Sequence, residues 1–141
     1  MAAQSPRWIA GGTIEVSRFV KADIGAGKLY KALQAGANDK IVGISQDGPY
    51  DAPGVTGAAD DAARENLPLK VFGLGEECLL KAGTGGWTAG DHLESDASGQ
   101  GVTVAVTVAS VRNIGAIGLE TVAAGELGRV QIVLFTKTNP A

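Results

Sequence analysis

The chain has 141 residues, the length of one ordinary domain, with 45% hydrophobic, 19% charged and only 5% aromatic residues and 21 glycines, so any core must be built from small and β-branched side chains. With 15 acidic against 12 basic residues the net charge is -3, which argues against non-specific binding to nucleic acid and, given the apolar content, against a wholly disordered chain. A single cysteine (Cys78) excludes an internal disulfide, a single histidine (His92) beside it cannot complete a four-ligand zinc site, and no apolar run approaches the ~20 residues that span a bilayer.

Met1 to Pro6 has no charged stretch followed by an apolar one, so no secretory signal is read there. Residues 1–12 read as an N-terminal arm, small and polar until Pro6, Arg7, Trp8 and Ile9 and closed by Gly11-Gly12. Trp8-Ile9 is too apolar for a free tail, so it either docks on a partner or packs back on its own domain. Residues 13–141 read as a single β domain. Thr13 to Val20 alternates, with Ile14, Val16 and Val20 on one face, although Arg18 and Phe19 break the pattern. Leu29 to Gln34 and Lys40 to Ser45 follow as short strands. An irregular insert, about 46–68, carries the turn residues Asp47-Gly48-Pro49 and Pro53-Gly54. Within it Ala58 to Glu65 is expected to form about two helical turns, with Asp60 and Arg64 spaced as an i,i+4 pair.

From Pro68 onward strands dominate. Leu69 to Leu74 and Cys78 to Leu80 are interrupted by Gly73 and Gly75, which predict a bend. Asp91 to Glu94 is another short strand. Val102 to Ala109 gives the cleanest alternation, with Val102, Val104, Val106 and Val108 on one face. Ile114 to Glu120 and Arg129 to Phe135 complete the set. The last of these is apolar on both faces, as a central strand or a subunit contact requires, and Val133 and Phe135 are its candidate subunit-contact residues. About eight short strands separated by Gly-rich turns indicate an all-β domain, a small Gly/Ala-rich antiparallel barrel or sandwich.

The tests for chemistry fail one by one. Gly27-Lys28 has Ala22 and Leu29 where a phosphate-binding loop needs Gly and Ser or Thr, and Gly73-Leu74-Gly75 has Cys78 in place of a third glycine. His92, with Asp91 or Ser95, is the one available base, but no nucleophile elbow surrounds it. Cys78 lies beside carboxylates that raise its pKa, so it reads as a buried small hydrophobe. Glu76 and Glu77 point to opposite faces of an extended chain and do not converge. Asp47 and Asp51 lack the ligand spacing of a calcium loop. Trp87, in Gly85-Gly86-Trp87-Thr88, is expected to lie as a lid on the barrel end. With Tyr50 and the 47–66 loop it is the aromatic available to an alternative reading, a binding module for a glycan, small molecule or host surface. No enzyme activity and no cofactor are expected.

The serial order of Lys40-Ile41-Val42-Gly43-Ile44-Ser45, Val71-Phe72-Gly73, Cys78 to Gly83, Thr88 to Gly99, Ile114 to Glu120 and Ala124 to Ile132 resembles the small capsid decoration (cement) proteins of tailed bacteriophages, over roughly Thr13 to Phe135. The 47–66 insert and the Val102 to Val108 segment depart from that pattern. The resemblance implies a barrel or β-tulip-like fold and a structural virion protein, made in the host cytoplasm, that sits on the outer surface of an expanded head. Its implied partners are the major capsid protein and further copies of itself, commonly as a homotrimer, with no nucleic acid and no membrane. On that reading Pro6, Arg7, Trp8 and Ile9 are the candidate capsid-contact residues, and stabilisation comes from bridging neighbouring capsomers.

Overall fold

A computed structural model describes residues 8–23, 31–45, 61–63, 68–106 and 109–138. Among them there is no helix, in keeping with the expected all-β class. A six-stranded sheet contains β1 (Trp8–Ala10), β3 (Phe19–Ala22), β4 (Lys31–Gln34), β5 (Gly43–Ser45), β7 (Pro68–Leu69) and β8 (Val71–Phe72), in the order β7-β1-β4-β3-β5-β8. A five-stranded sheet contains β9 (Glu77–Lys81), β10 (His92–Ser95), β11 (Gly101–Thr103), β12 (Val111–Gly118) and β13 (Leu127–Thr138), in the order β11-β10-β12-β13-β9. A small ladder pairs β2 (Ile14–Glu15) with β6 (Asp61–Ala63). Among the described residues every strand pairing is antiparallel except β1 with β4, and an isolated bridge between Ala82 and Gly101 is also parallel.

The six-stranded sheet is apolar on both faces. Phe19 and Ile44 turn toward the five-stranded sheet and meet Leu80, Trp87, Leu93, Ala116, Val130 and Ile132 in the main core. Val20, Ala32, Ala10, Leu69 and Val71 turn the other way and pack with Ile14 of the small ladder. Neighbouring residues such as Phe19 and Val20 therefore both lie fully buried. This two-sided burial explains why Phe19 breaks the alternation read from the sequence. Backbone bonds clip the sheets together, from Phe19 N to Gly99 O (2.8 Å), Lys81 N to Ser17 O (3.0 Å) and Asn38 N to Ser95 O (3.1 Å).

Several expectations are corrected. Trp8–Ala10 is not part of an arm but a strand between β7 and β4, with Ala10 fully buried. Residues 1–7, with Pro6 and Arg7, lie outside the described residues. Thr13 to Val20 is not one strand, because Ser17 adopts a left-handed φ of 56° and turns the chain between β2 and β3. Of the expected helix, Asp61–Ala63 is a strand, since pairing with β2 supplies what two isolated helical turns cannot. Asp60 and Arg64 lie outside the described residues, as does Asp47 to Asn66 apart from Asp61–Ala63. Among its described residues the cleanest alternation yields only β11, and Thr107 and Val108 lie outside them. Ala105 N donates to the Glu94 side chain instead of a ladder, Val106 is 87% exposed, and Ala109 has a φ of 60°. The final strand is central, the first of the two outcomes its apolar faces allow, between β12 and β9.

Trp87 is 3% exposed, and its Nε1 donates to Glu120 O at 2.8 Å. It lies within the core instead of lidding it. Its ring fits because three strands offer glycine there. A Cβ on Gly118 would lie 2.6 Å from Trp87 Cδ1, one on Gly128 2.7 Å from Cζ2, and one on Gly101 3.2 Å from Cζ3. Trp87→Ala is expected to cost about 3–5 kcal/mol of stability, and Gly118→Ala about 1–3 kcal/mol. In the double variant the glycine substitution costs almost nothing further, because the ring it would strike is gone; urea unfolding of the four proteins measures this coupling.

Candidate functional site

The chemistry-bearing side chains named from the sequence are held in separate places. Asp91 accepts hydrogen bonds from Thr88 N (2.9 Å) and Thr103 Oγ1 (3.0 Å), so it closes a turn. His92 follows on the exposed outer face of the five-stranded sheet, its ring edge-on to Phe135 at 5.2 Å and 84°. Ser95 is buried and donates to Asp96 O. The three form no relay. Cys78 packs half-buried beside the main core, and burial, reinforced by Glu76, pushes its thiol up to about 12. Glu76 accepts from Gly73 N in the turn before β9, while Glu77 faces Arg129 across the sheet. Among the described residues no three His, Cys, Asp or Glu gather to hold a metal ion.

Two polar clusters escaped the sequence reading. Glu94 is 4% exposed and takes a two-pronged bond from Arg112, with Nε to Oε2 at 2.8 Å and Nη2 to Oε1 at 2.6 Å. The carboxylate also holds Ala105 N, which pins the segment after β11. Its hydrogen bond holds the guanidinium even more firmly protonated than usual. The second cluster clasps the two sheets. Asn38, with a left-handed φ of 54°, donates from Nδ2 to Val111 O and accepts from Asn113 N, and Asn113 Nδ2 returns a bond to Asn38 O. On the six-stranded sheet, Lys21 reaches Asp39 at 2.7 Å and holds its carboxyl below the usual range, against the opposing effect of burial. Only Leu93 of β10 (His92–Ser95) is apolar, so the sequence carries no signal that Glu94 is buried; once it is, a cation must answer it.

The candidate contact residues fall on two surfaces. Trp8 and Ile9 sit half-buried in β1, Trp8 opposite Leu69 and against the second core cluster. Val133 is half-buried and Phe135 is 42% exposed on β13. Because Gly128, Val130 and Ile132 turn inward, Leu127, Arg129 and Gln131 turn outward. Opposite them on β9 stand Lys81, Leu79 and Glu77. Leu119 joins this face beside Arg129, its N donating to Arg129 O at 2.9 Å. Leu79, Leu119 and Leu127 are 45%, 42% and 49% exposed, so this sheet shows water an unusually apolar outer face.

No family model matches the chain, and no curated protein matches it in sequence. Among solved structures it is similar to the head fiber gp8.5 N base of bacteriophage phi29, with a TM-score of 0.56 and 15% identity over 90% of this chain and 91% of that one. The likeness identifies the fold. It agrees with the fold expected from the decoration-protein resemblance, a small β domain.

Two outcomes test this geometry. Arg112→Met strands the buried Glu94 carboxylate and is expected to cost about 3–5 kcal/mol, whereas Glu94→Leu with Arg112→Met recovers most of that loss; thermal unfolding at pH 7 separates them. The Cys78 shift from 9.0 to about 12 makes native-state thiol labelling at pH 8 roughly a thousand-fold slower than in urea. The raised pKa also sets a sign. Its contribution to stability is complete below pH 9, the thiol's ordinary value, and is lost as pH rises toward 12.

Proposed function

We propose that this chain is a structural protein of a phage head, seated on the outer surface of the expanded capsid, where it stabilises the shell by bridging neighbouring copies of the major capsid protein. The observation that carries this reading is the fold shared with a phage head fiber protein over nine-tenths of both chains. The serial motifs that resemble decoration proteins support it independently. The role is mechanical and needs no catalytic group. The glycan-module alternative loses its main aromatic, since Trp87 is buried, and Tyr50 lies outside the described residues.

Several copies acting together suit such a role. A protein bound across two or three capsomers adds contacts that must break before the shell opens, and self-association makes those contacts multivalent. Val133 and the exposed Phe135, edge-on to His92, supply an apolar contact for a homotrimer. Pro6 and Arg7 precede β1, whose Trp8 and Ile9 are held in the sheet. Shell contact at this end of the molecule therefore falls to the residues just before the strand and to the exposed parts of Trp8 and Ile9.

Sedimentation with expanded empty heads from the same source tests the proposal. Saturable binding, in a copy number that is a multiple of three per face of the shell lattice, is the expected result. Arg7→Glu should weaken that binding at least several-fold and leave urea unfolding unchanged. Deleting residues 1–10 should instead unfold the six-stranded sheet, because it removes β1 from between β7 and β4. No binding to properly expanded heads would overturn the proposal.

A further inference from the structure

The outer face of the five-stranded sheet carries, on β9, Glu77, Leu79 and Lys81 as successive outward residues. An acid, a leucine and a base along one strand read the same way when a second strand is laid over them in the opposite direction. We infer that this patch is a self-contact, in which a second copy packs its own outer sheet face on this one across a two-fold axis that crosses the strands at the level of Leu79.

The arrangement places Glu77 against Lys81 of the second copy, and the reverse, with Leu79 on Leu79 between them. In the same row, Leu119 lies beyond Arg129 and meets its own equivalent. An isologous interface needs this kind of self-complementary surface. A partner of uniform charge does not fit, because Glu77, Lys81 and Arg129 put both signs on one small face. Arg129 does not oppose its copy, since its guanidinium leans toward its own Glu77 at 3.8 Å and the copies lean in opposite directions. Among the described residues Lys81 has no carboxylate partner within its own chain, whereas Glu77 has only this loose one.

The edge of β9 is not the contact. Lys81 N already donates to Ser17 O, which interrupts that edge, and the outward row favours packing face to face. Three strand positions about 4.8 Å apart and five residues of about 3.3 Å give a face of roughly 240 Å². A stable pair usually buries about 800 Å² on each partner, so this contact is weak and forms only where copies are concentrated. Copies held side by side on a surface reach effective concentrations of about millimolar. The contact is separate from the one at Val133 and Phe135 and does not depend on shell binding.

Sedimentation velocity of the full chain, from about 10 µM to about 1 mM, tests it. The expected result is a reversible doubling in mass of whatever species dominates at low concentration. Glu77→Lys and Lys81→Glu should each weaken the doubling at least ten-fold, and Glu77→Lys with Lys81→Glu should restore it. Trp87 fluorescence checks that each variant is folded. No doubling up to the highest concentration, doubling that both single variants keep, or single losses that the paired swap does not repair would each overturn the inference. None of these results bears on binding to heads, which the preceding experiment reads separately.

Discussion

The fold depends on one large ring held in a slot made of backbone. Trp87 is the bulkiest side chain in the main core; Gly118 and Gly128 from β12 and β13 approach it where a Cβ would collide, and Gly101 from β11 where a Cβ would crowd it and strike Leu80. Dispersion at such contact distances is individually small, but many contacts around a flat indole add up, and none survives a methyl-sized displacement. The indole N–H is satisfied by Glu120 O, so burying the ring leaves no polar cost. The composition follows from this arrangement. A chain with 5% aromatic residues and 21 glycines reaches a packed core by letting strands close on the few rings it has, not by filling space with many of them.

The same economy shapes the six-stranded sheet. With Phe19 and Ile44 on one face and Val20, Ala32 and Val71 on the other, it serves two cores at once. Strands of two to four residues are marginal alone, and here they are held by burial on both sides. β1 gains its place on those terms, with Ala10 at zero exposure. An apolar segment close to the chain start is therefore a structural strand, and its parallel pairing with β4 takes the place of a hairpin that sequence proximity would have favoured.

What was legible in the sequence was whatever a period of two can carry. The all-β class, the short strands at Lys31–Gln34, Gly43–Ser45 and His92–Ser95, and the central position of the doubly apolar last strand all follow from alternation and turn residues. The failures have local causes that periodicity does not see. Val102 to Ala109 alternates well, yet a buried carboxylate from another strand captures Ala105 N and ends the ladder. Trp8 sits outside any recognisable pattern, because its strand is defined by long-range partners at Lys31 and Leu69. In the sequence Cys78 reads as a buried hydrophobe with a thiol raised by its carboxylate neighbours; it is half-buried, and its thiol is raised chiefly by burial and second by Glu76. The outward row Glu77, Leu79 and Lys81 was visible in the sequence, but its meaning depends on knowing which face of β9 is inside.

The two sheets place their apolar side chains differently. The six-stranded sheet spends its apolar residues inward on both faces, whereas the five-stranded sheet leaves Leu79, Leu119, Leu127 and Phe135 in water. A free domain gains nothing from that exposure, since each such side chain forgoes about 1.5–3 kcal/mol that full burial would give. The exposed set is therefore best understood as stability deferred to assembly. Buried ties such as Glu94 with Arg112 fix side chains of this sheet in place, and a face ordered in advance would cost a second copy little to bind. A weakly adhesive face is also reversible, and that suits the proposed role, in which copies would find their neighbours on a shell before locking with them. Contacts too feeble to pair two free molecules become cooperative once many copies share one support, and the strength of the whole then exceeds that of any single interface.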